Sequence, residues 1–384
     1  MNIRSKLPNT GTTIFTIMSQ MAKDQGAINL SQGFPGFDAD SVLLDLVAKY
    51  IKLGHNQYAP MSGIESLRKN LAIKTEKCYG FLPDYQEEVT IVSGATEALF
   101  AAISTVIRPG DEALILEPAY DSYEPAIILN GGIPIHISLN EADFSVNWDR
   151  IKSAVSFKTK LIVVNSPHNP TGYVWTAEDL KILADLIRDR NIFVVSDEVY
   201  EHITFDGRAH LSLLGNEELR KKTFVCGSFG KTFHVTGWKV GYCIAPKELT
   251  KEFRKIHQFL TFSTVTPIQF ALAEYLENPD HYQSIQEFYE KKRNLFLEGL
   301  KQTKLKFSTT QGSFFQMASY GHLSKISDQK LAELMCKKLK VACIPVSSFY
   351  HNGTDNQFIR FCFAKEEREL EEAMNRLLRL EEIL

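Results

Sequence analysis

The sequence predicts an α/β protein, with a large domain built on a mostly parallel sheet flanked by helices and a second, smaller α/β domain. Short runs of β-branched and apolar residues alternate with segments of helical spacing through the middle of the chain. These runs are apolar without interruption, which is typical of parallel strands buried on both faces. After about residue 280 the pattern changes to one long helical segment and shorter strands.

The strands predicted for the large domain are separated by segments of helical spacing. Two such segments are 96–107 and 176–190, and Thr176 with Asp179 three residues later is typical of a helix N-terminus. In a sheet of this kind a ligand binds at the carboxyl ends of the strands, so the residues that follow each strand are the candidates for function. The strands are predicted at 87–94, 111–118, 160–167, 191–198, 222–228 and 240–246.

The C-terminal part of the chain predicts a second domain. Its elements are a helix over 280–303, strands at 312–317 and 357–364, and a charged terminal helix over 365–384. We therefore expect a segment over 1–35 that packs with the small domain, a large ligand-binding domain over 36–280 and a small domain over 281–384.

Composition disfavours several classes of partner. The formal net charge is -3, which does not favour nucleic acid or an anionic membrane surface. No apolar run approaches the roughly 18 residues that span a bilayer, and the N-terminus lacks the apolar core of a signal peptide. The six cysteines form no CxxC pair, so we expect neither structural zinc nor disulfides, no metal, and a location in the reducing cytoplasm.

Polar residues follow four of the predicted strands. Ser93-Gly94-Ala95-Thr96 opens a helix, where unpaired N–H groups suit a phosphate, although Ser93 as an ordinary N-cap explains the same residues. Asn169 precedes a proline, which favours an extended backbone at Asn169, and an amide held in this way can point into a cleft. The alternative is an ordinary loop that is rich in turn-forming residues.

Two further strand ends carry ionisable groups. Asp197 follows an apolar run and is either a helix cap or a functional anion. Tyr200, three residues later, lies on the same side of the chain as Asp197 if a helical turn begins there. Lys231 follows the strand at 222–228. A free lysine has a pKa of about 10.4, and burial or a neighbouring cation would lower it enough to make the amine a nucleophile. A solvated surface lysine is the alternative, weakened by the small residues around it.

Nucleotide-binding motifs do not explain the glycines near Lys231. The stretch "GKT" at 230–232 is similar to the phosphate loop of NTPases, but that loop needs glycine where this chain has Val225. No GxGxxG follows a strand, which weakens a dinucleotide-binding interpretation.

Taken together, a phosphate cradle, a carboxylate, a tyrosine, an asparagine and a lysine at strand ends suit pyridoxal 5′-phosphate. The sequence resembles the fold-type I, class I/II aminotransferases, and within them the branch of methionine aminotransferases and kynurenine/glutamine transaminases. The resemblance covers nearly the whole chain and rests on "NLSQGFPGF", "QYAPMSGIESLR", "VSGATEAL", "PHNPTG", "SDEVYEHI", "GSFGKTFHVTGWKVGY", "HQFLTFS", "IPVSSFY" and "IRFCFA".

The resemblance implies a role for each strand-end residue. Lys231 would form the Schiff base with the cofactor and then move the substrate proton, and Asp197 would pair with the pyridine nitrogen. Tyr200 and Asn169 would form hydrogen bonds with the phenolic oxygen of the cofactor ring. The remaining cofactor contacts would be Gly94, Ala95, Thr96, Ser228 and Lys239 at the phosphate, Tyr120 on the ring face and Tyr58 from the neighbouring subunit. Many relatives carry arginine at the position of Lys239. Lysine presents a single point charge to the phosphate, whereas arginine can form two parallel hydrogen bonds.

Substrate contacts are implied in the same way. Arg360 shares a strand face with Phe358 and Cys362, and a guanidinium in apolar company needs an anion: the substrate carboxylate or a protein acid. Gly36 would let the backbone approach that carboxylate, and Asn169 would also contact the substrate. Phe15, Phe262 and Phe315 would line the side-chain pocket, with core packing as the alternative.

The sequence therefore predicts a homodimeric cytoplasmic aminotransferase that transfers an amino group from an apolar or aromatic L-amino acid, methionine first, to a 2-oxo acid. No convincing second arginine is present for a side-chain carboxylate. One alternative is a kynurenine/glutamine-type transaminase with cysteine-S-conjugate β-lyase activity. A regulatory protein that binds the cofactor without turnover is disfavoured, since no basic N-terminal DNA-binding domain is apparent.

Overall fold

A seven-stranded sheet forms the centre of the computed structural model, which describes residues 3–384. The strand order is β2-β8-β7-β6-β5-β3-β4; β8 is antiparallel to both of its neighbours, and the other six strands are parallel to one another. The strands of the chain are β1 (Ile28–Asn29), β2 (Val89–Val92), β3 (Glu112–Glu117), β4 (Ile133–Ser138), β5 (Thr159–Asn165), β6 (Phe193–Asp197), β7 (Thr223–Ser228), β8 (Gly241–Ile244), β9 (Phe315–Ser319), β10 (Val341–Ala342), β11 (Ile344–Pro345) and β12 (Phe358–Cys362).

Helices cover both faces of this sheet and surround the smaller sheets. Short 3-10 and π segments add to them at 213–215, 236–238, 335–339, 346–349 and 380–383. The α-helices are α1 (Ile14–Gln25), α2 (Ser41–Lys52), α3 (Glu65–Tyr79), α4 (Ala95–Val106), α5 (Tyr123–Leu129), α6 (Trp148–Ala154), α7 (Ala177–Ile187), α8 (Glu217–Arg220), α9 (Phe229–Thr232), α10 (Lys247–Leu260), α11 (Thr266–Tyr275), α12 (Asp280–Gln283), α13 (Ile285–Leu300), α14 (Asp328–Leu334) and α15 (Glu367–Leu377).

The apolar strands are explained by burial on both faces. In β3, Leu114 and Leu116 belong to one buried apolar cluster, whereas Ile115 between them belongs to the cluster on the opposite face. Val163 and Val164 of β5 divide in the same way. Successive side chains of a strand alternate between faces, so only an uninterrupted apolar run fills both layers.

The C-terminal residues build two smaller sheets around a third apolar cluster. Strands β11, β12 and β9 form an antiparallel sheet in that order, and β1 pairs in parallel with β10. Met18, Ala22 and Leu30 from the N-terminal segment are buried in the same cluster as residues of 285–380. The chain therefore packs residues 14–30 against its last hundred residues.

Three predicted elements differ in the structure. The helix predicted over 280–303 breaks at Ser284, whose hydroxyl donates a hydrogen bond of 2.7 Å to the Asp280 carbonyl, a contact that bends helices. The predicted strand at 312–317 begins only at Phe315, and the terminal helix ends at Leu377. Strand β4 was not predicted, and it lies at the sheet edge, where its Pro134 is tolerated.

None of the helices within residues 3–384 is both long enough and apolar enough to cross a membrane.

Candidate active site

The polar residues that follow the strands meet around one cavity of about 470 Å³ at the carboxyl edge of the large sheet. A cavity of this size suits a small ligand, and its place is where open α/β sheets bind ligands. Its lining comprises Phe15, Gln32, Gly33, Phe34, Gly94, Ala95, Thr96, Leu99, Tyr120, Asn165, Asn169, Asp197, Val199, Tyr200, Ser228, Gly230, Lys231, Thr236, Lys239, Val240, Phe315 and Arg360.

One end of the cavity carries groups that attract negative charge. Helix α4 begins there, and its N-cap is Gly94 with φ 81°, not Ser93, so the alternative of Ser93 as N-cap is wrong. Gly94 leaves room for Lys239, because a Cβ on Gly94 would lie 3.1 Å from the lysine Nζ. The free N–H groups of the first helical turn and this ammonium together attract negative charge.

Buried contacts hold that helix start in place. The backbone N–H of Ser93 donates a short hydrogen bond to the Glu97 carboxylate in the first turn of α4. Glu97 is also 2.5 Å from Nδ1 of His257, a fully buried residue of α10 whose Nε2 lies 2.9 Å from the Met61 carbonyl. The anion-binding end therefore rests on a chain of polar contacts, from Ser93 to Met61, that the sequence did not reveal.

Asp197 ends β6 as a buried carboxylate, not as a helix cap. The residues after it form successive turns, and its Oδ2 accepts a hydrogen bond of 2.7 Å from the Tyr123 hydroxyl. Burial raises the pKa of Asp197 to about 6, and the Tyr123 hydrogen bond works against this rise. The side chain is thus mostly ionised at neutral pH.

Lys231 points into the cavity from α9, a single turn after β7. Its Nζ donates a hydrogen bond of 2.6 Å to the Gly33 carbonyl and lies 5.6 Å from the centre of the Tyr200 ring. Burial is the main cause that lowers the pKa of Lys231 to about 8, and the nearby Arg360 and Lys239 charges lower it further. A substantial fraction of this amine is therefore neutral near physiological pH, as a nucleophile requires.

Asn169 and Asn165 link the ends of β5 and β6. Asn165 Nδ2 donates to the Asp197 carbonyl at 2.8 Å, and Asn165 Oδ1 accepts the Asn169 N–H at 2.8 Å. Tyr200 is buried and its ring packs edge-on against Phe315. These contacts hold the side chains of Asn169 and Tyr200 in fixed positions at the cavity.

Arg360 is the most deeply buried cation of the site, with 1% of its surface exposed. It donates hydrogen bonds to Asn169 Oδ1 (2.7 Å) and the Ser31 carbonyl (2.8 Å), and its guanidinium lies 3.8 Å from the centre of the Phe315 ring. Its Nε has no partner, and no protein acid in residues 3–384 pairs with it. The alternative of an arginine paired with a protein acid is therefore wrong for the described residues.

The structure does not bring every predicted residue to this cavity. Gly36 donates its N–H to the Ala364 carbonyl, and a Cβ there would meet Lys365, so the glycine beside the cavity is Gly33 instead. Tyr58 and Phe262 lie outside it; they are 84% and 47% exposed and pack on each other at 5.4 Å. All the other predicted site residues line it.

Several residues that contribute to the site were not predicted. Tyr123 lies in α5 and nothing in its sequence neighbourhood distinguishes it from a core tyrosine. Thr236 carries no motif of its own. Asn165 and Gly33 had a signal, because they stand in the stretches "NSPHNPTG" and "NLSQGFPGF".

Comparison with known proteins adds independent information about this chain. The family described as "Aminotransferase class I and II" matches residues 25–377. Methionine aminotransferase of Escherichia coli K12 is 44% identical over 378 residues, which cover 98% of each chain. Kynurenine–oxoglutarate transaminase of Dictyostelium discoideum is 34% identical over 96% of this chain and 94% of its own.

Solved structures agree with this chain over its whole length. YbdL from Escherichia coli, reported with a methionine aminotransferase function, superposes with a TM-score of 0.96 at 43% identity, covering 99% of this chain and 100% of its own. N-Succinyldiaminopimelate aminotransferase from Mycobacterium tuberculosis gives a TM-score of 0.95 at 34% identity with the same coverage.

Proposed function

The chain belongs to the class I and II aminotransferases, and from this premise we propose that it uses pyridoxal 5′-phosphate to transfer the amino group of an apolar L-amino acid, methionine foremost, to a 2-oxo acid. The fold is that of the fold-type I enzymes of this family. The observation that carries the proposal is the convergence of Lys231, Asp197 and Arg360 on one cavity.

The residues present fit pyridoxal 5′-phosphate. The start of α4 with Lys239 and Ser228 offers a place for the phosphate. Asp197 is a buried carboxylate that forms no ion pair with any cation of residues 3–384, and a protonated ring nitrogen would supply the missing positive charge. Lys231 provides the amine, and Tyr120 provides a ring to stack on the cofactor. Gly94, Ala95 and Thr96 complete the phosphate contacts.

Each residue then has a defined task. When bound, the cofactor supplies a carbonyl group for amino transfer and an electron-poor ring that accepts charge from the substrate. Asp197 would hold a proton on the ring nitrogen by accepting its hydrogen bond, while Tyr200 and Asn169 would bond the phenolic oxygen. Lys231 Nζ would take the proton from the α-carbon of the donor amino acid and return one to the α-carbon of the 2-oxo acid.

Arg360 would bind the α-carboxylate of both substrates. Its unpartnered Nε lies on the edge of a guanidinium that is buried among aromatic rings, where a carboxylate forms a strong charge-assisted hydrogen bond. Asn169 already holds the other side of the guanidinium, so the fork is fixed before substrate arrives. Such preorganisation lowers the entropy cost of binding.

The remaining lining favours an apolar substrate side chain. Phe15, Phe34, Leu99 and Phe315 contribute apolar surface. Among the described residues that line the cavity, the only lysines and arginines are Lys231, Lys239 and Arg360, and each has another task. No cation is left there for a side-chain carboxylate, which agrees with the methionine activity of the 44% identical relative.

We also propose that two copies complete each other's site in a homodimer that works in the cytoplasm. Tyr58 and Phe262 would then contact the partner's phosphate and side-chain pocket, which explains why two aromatic rings stand exposed side by side. All six cysteines are free thiols, as in reducing compartments. We retain the division into the segment 1–35, the large domain 36–280 and the small domain 281–384.

Purified enzyme loaded with cofactor and offered a panel of amino acids against several 2-oxo acids tests this function. We expect methionine to give the highest kcat/KM, aromatic amino acids and leucine to follow, and aspartate to be poor. A preference for aspartate would contradict the proposed pocket, whereas no transamination with any pair would contradict the reaction itself.

The kynurenine/glutamine-type alternative has the 34% identical relative in its favour. Its β-lyase component makes a separate prediction: a cysteine S-conjugate would yield pyruvate and ammonia without any 2-oxo acid acceptor. We expect this release to be slow compared with methionine transamination. A release faster than methionine transamination would make β-elimination the main activity and transamination the side activity.

A further inference from the structure

A second cluster of polar side chains lies next to the cavity and has no task in transamination. Glu117 is the last residue of β3, His136 lies on the neighbouring strand β4, and His351 follows the 3-10 helix at 346–349. We propose that these three residues bind a divalent transition-metal ion, Zn²⁺, independently of the cofactor.

The ligand atoms are close enough for one ion. Nδ1 of His136 lies 2.9 Å from Glu117 Oε1, Nδ1 of His351 lies 3.2 Å from it, and one ligand atom from each residue falls within 4.8 Å of the other two. Ligands at about 2.0–2.1 Å from Zn²⁺ are separated by roughly 3.3 Å at the tetrahedral angle. The two separations between an imidazole and the carboxylate, 2.9 Å and 3.2 Å, are close to this spacing.

The chemistry of the set also suits Zn²⁺. Two imidazoles and one carboxylate are a known ligand combination for zinc, with a fourth position open to water. A hard ion such as Mg²⁺ prefers oxygen ligands only. Glu124, whose carboxylate lies 3.8 Å from His136 Nε2, is placed to orient that ring from behind.

The contact between His136 and Glu117 is buried and poorly aligned. His136 Nδ1 lies 2.9 Å from the Glu117 carboxylate, which is an ion-pair distance, but it forms no well-aligned hydrogen bond there. Buried polar atoms usually form well-aligned hydrogen bonds. A metal ion between the two groups would accept the lone pair of the imidazole and neutralise the carboxylate together.

Binding requires one rearrangement. The two imidazoles are stacked, with centroids 4.0 Å apart and planes inclined by 14°, so their in-plane lone pairs do not converge on one ion as they stand. His351 is 43% exposed and can turn about its side-chain bonds until its lone pair converges with that of His136. Glu117 is already held by the N–H of His351 at 2.7 Å, which keeps the carboxylate in position.

The ion would join the end of β3 to the segment that contains Phe349 and His351, beside the active site. The Ala119 N–H donates to the Phe349 carbonyl, and the Phe349 ring lies 5.1 Å from the Arg360 guanidinium. Zn²⁺ would thus fasten the segment that carries Phe349 to the end of β3. The sequence could not show this cluster, because Glu117 and His351 are 234 positions apart.

Isothermal titration of cofactor-loaded, tag-free enzyme with ZnCl₂ tests the site. We expect one Zn²⁺ per chain and a Tm that rises on addition of the ion. His351→Gln and His136→Gln should each weaken binding by at least about tenfold, since they remove a direct ligand. His322→Gln is the matched control, because this exposed histidine lies outside the cluster and should leave binding unchanged.

Two results would overturn the site. The first is the lack of saturable Zn²⁺ binding by the parent enzyme, which leaves the cluster as a set of direct contacts between Glu117 and the two histidines. The second is binding of equal strength in all variants, which places the ion at thiols or at the cofactor. His351 is half-exposed, so its variant keeps the test valid even if the His136 variant fails to fold.

Discussion

At the scale of single residues, the site works by placing charges where water cannot screen them. Asp197, Lys231 and Arg360 are all shifted away from their ordinary pKa values by burial: Asp197 upward to about 6, Lys231 downward to about 8 and Arg360 downward to about 10. Perturbed groups that meet in one cavity are characteristic of active sites. In the proposed complex Asp197 and Arg360 would each gain a charged partner, whereas Lys231 would react as the neutral amine.

Tyr123 is the residue whose removal tests this view most simply. Tyr123→Phe removes a hydrogen bond to the charged form of Asp197, so the pKa of Asp197 should rise above about 6 and the acidic limb of kcat/KM should move to higher pH. A bond to a charged group contributes about 1.5–3 kcal/mol, so we expect a loss of about tenfold or more at pH 6 and a smaller loss at pH 8.

Tyr173→Phe is the control for that pH profile. Tyr173 donates an equivalent hydrogen bond of 2.8 Å to Asp179 outside the cavity. We expect the control to alter stability without moving the acidic limb. An unshifted profile in Tyr123→Phe would mean that the hydroxyl has no effect on the charge of Asp197.

The sequence pattern alone singled out residues at strand ends that the structure places at the cavity, and it did not single out some residues that reach the cavity from other segments. Asp197 and Ser228 end their strands, and an apolar run followed by a polar residue marks such positions. Tyr123 and the choice of Gly33 over Gly36 depend on which segments pack together, which a linear pattern does not contain.

At the scale of elements, the start of α4 and the start of β8 approach each other so closely that only glycine fits at position 241. A Cβ on Gly241 would lie 2.6 Å from the Gly227 carbonyl oxygen and 2.8 Å from the Ala95 nitrogen. The Ala95 N–H belongs to the anion-binding end of the cavity. This packing therefore determines the shape of the proposed phosphate site.

Gly241→Ala should push the first turn of α4 away from the sheet. We expect the affinity for pyridoxal 5′-phosphate, measured by fluorescence titration, to fall by at least about tenfold, with a stability loss of about 1–3 kcal/mol from overpacking. In Gly237→Ala the new Cβ would meet no atom within 4 Å, so this variant should bind the cofactor normally. Equal affinity in both variants would contradict the role of the close approach.

The elements themselves were predicted where their pattern was long and regular. Continuous apolar runs identified six strands of the large sheet, and the Thr176–Asp179 capping box is present as expected. Edge strand β4 and the two-residue strands β1, β10 and β11 escaped prediction, because their pairing depends on tertiary neighbours more than on local composition.

At the scale of the whole molecule, the proposed shared site involves a second copy of the chain. Tyr58, Phe259 and Phe262 expose large aromatic surfaces within a short span of the fold, which is unfavourable in an isolated chain. Tyr58 does not line the cavity of its own chain, so it has no role there. A symmetric dimer would cover these rings and bring Tyr58 to the partner's phosphate.

Hybrid dimers test the sharing of sites. Tyr58→Ala and Lys231→Ala protomers are each expected to be impaired as homodimers, but a hybrid contains one site with an intact lysine and an intact tyrosine from the other chain. Random mixing in equal amounts should restore about a quarter of the parent activity, since half of the dimers are hybrids with one working site of two. No recovery above the separate variants would contradict a shared site.

The central claim, that Lys231 in the short helix α9 directly after β7 performs amino transfer with a bound cofactor, is tested most directly by a single turnover. Cofactor-loaded enzyme is mixed with methionine without any 2-oxo acid acceptor, and the visible spectrum and the 2-oxo acid formed are recorded. We predict a spectral change with about one equivalent of product per site for the parent enzyme and no product for Lys231→Ala. Product formation at the parent rate by Lys231→Ala, or none by the parent enzyme, would contradict the account.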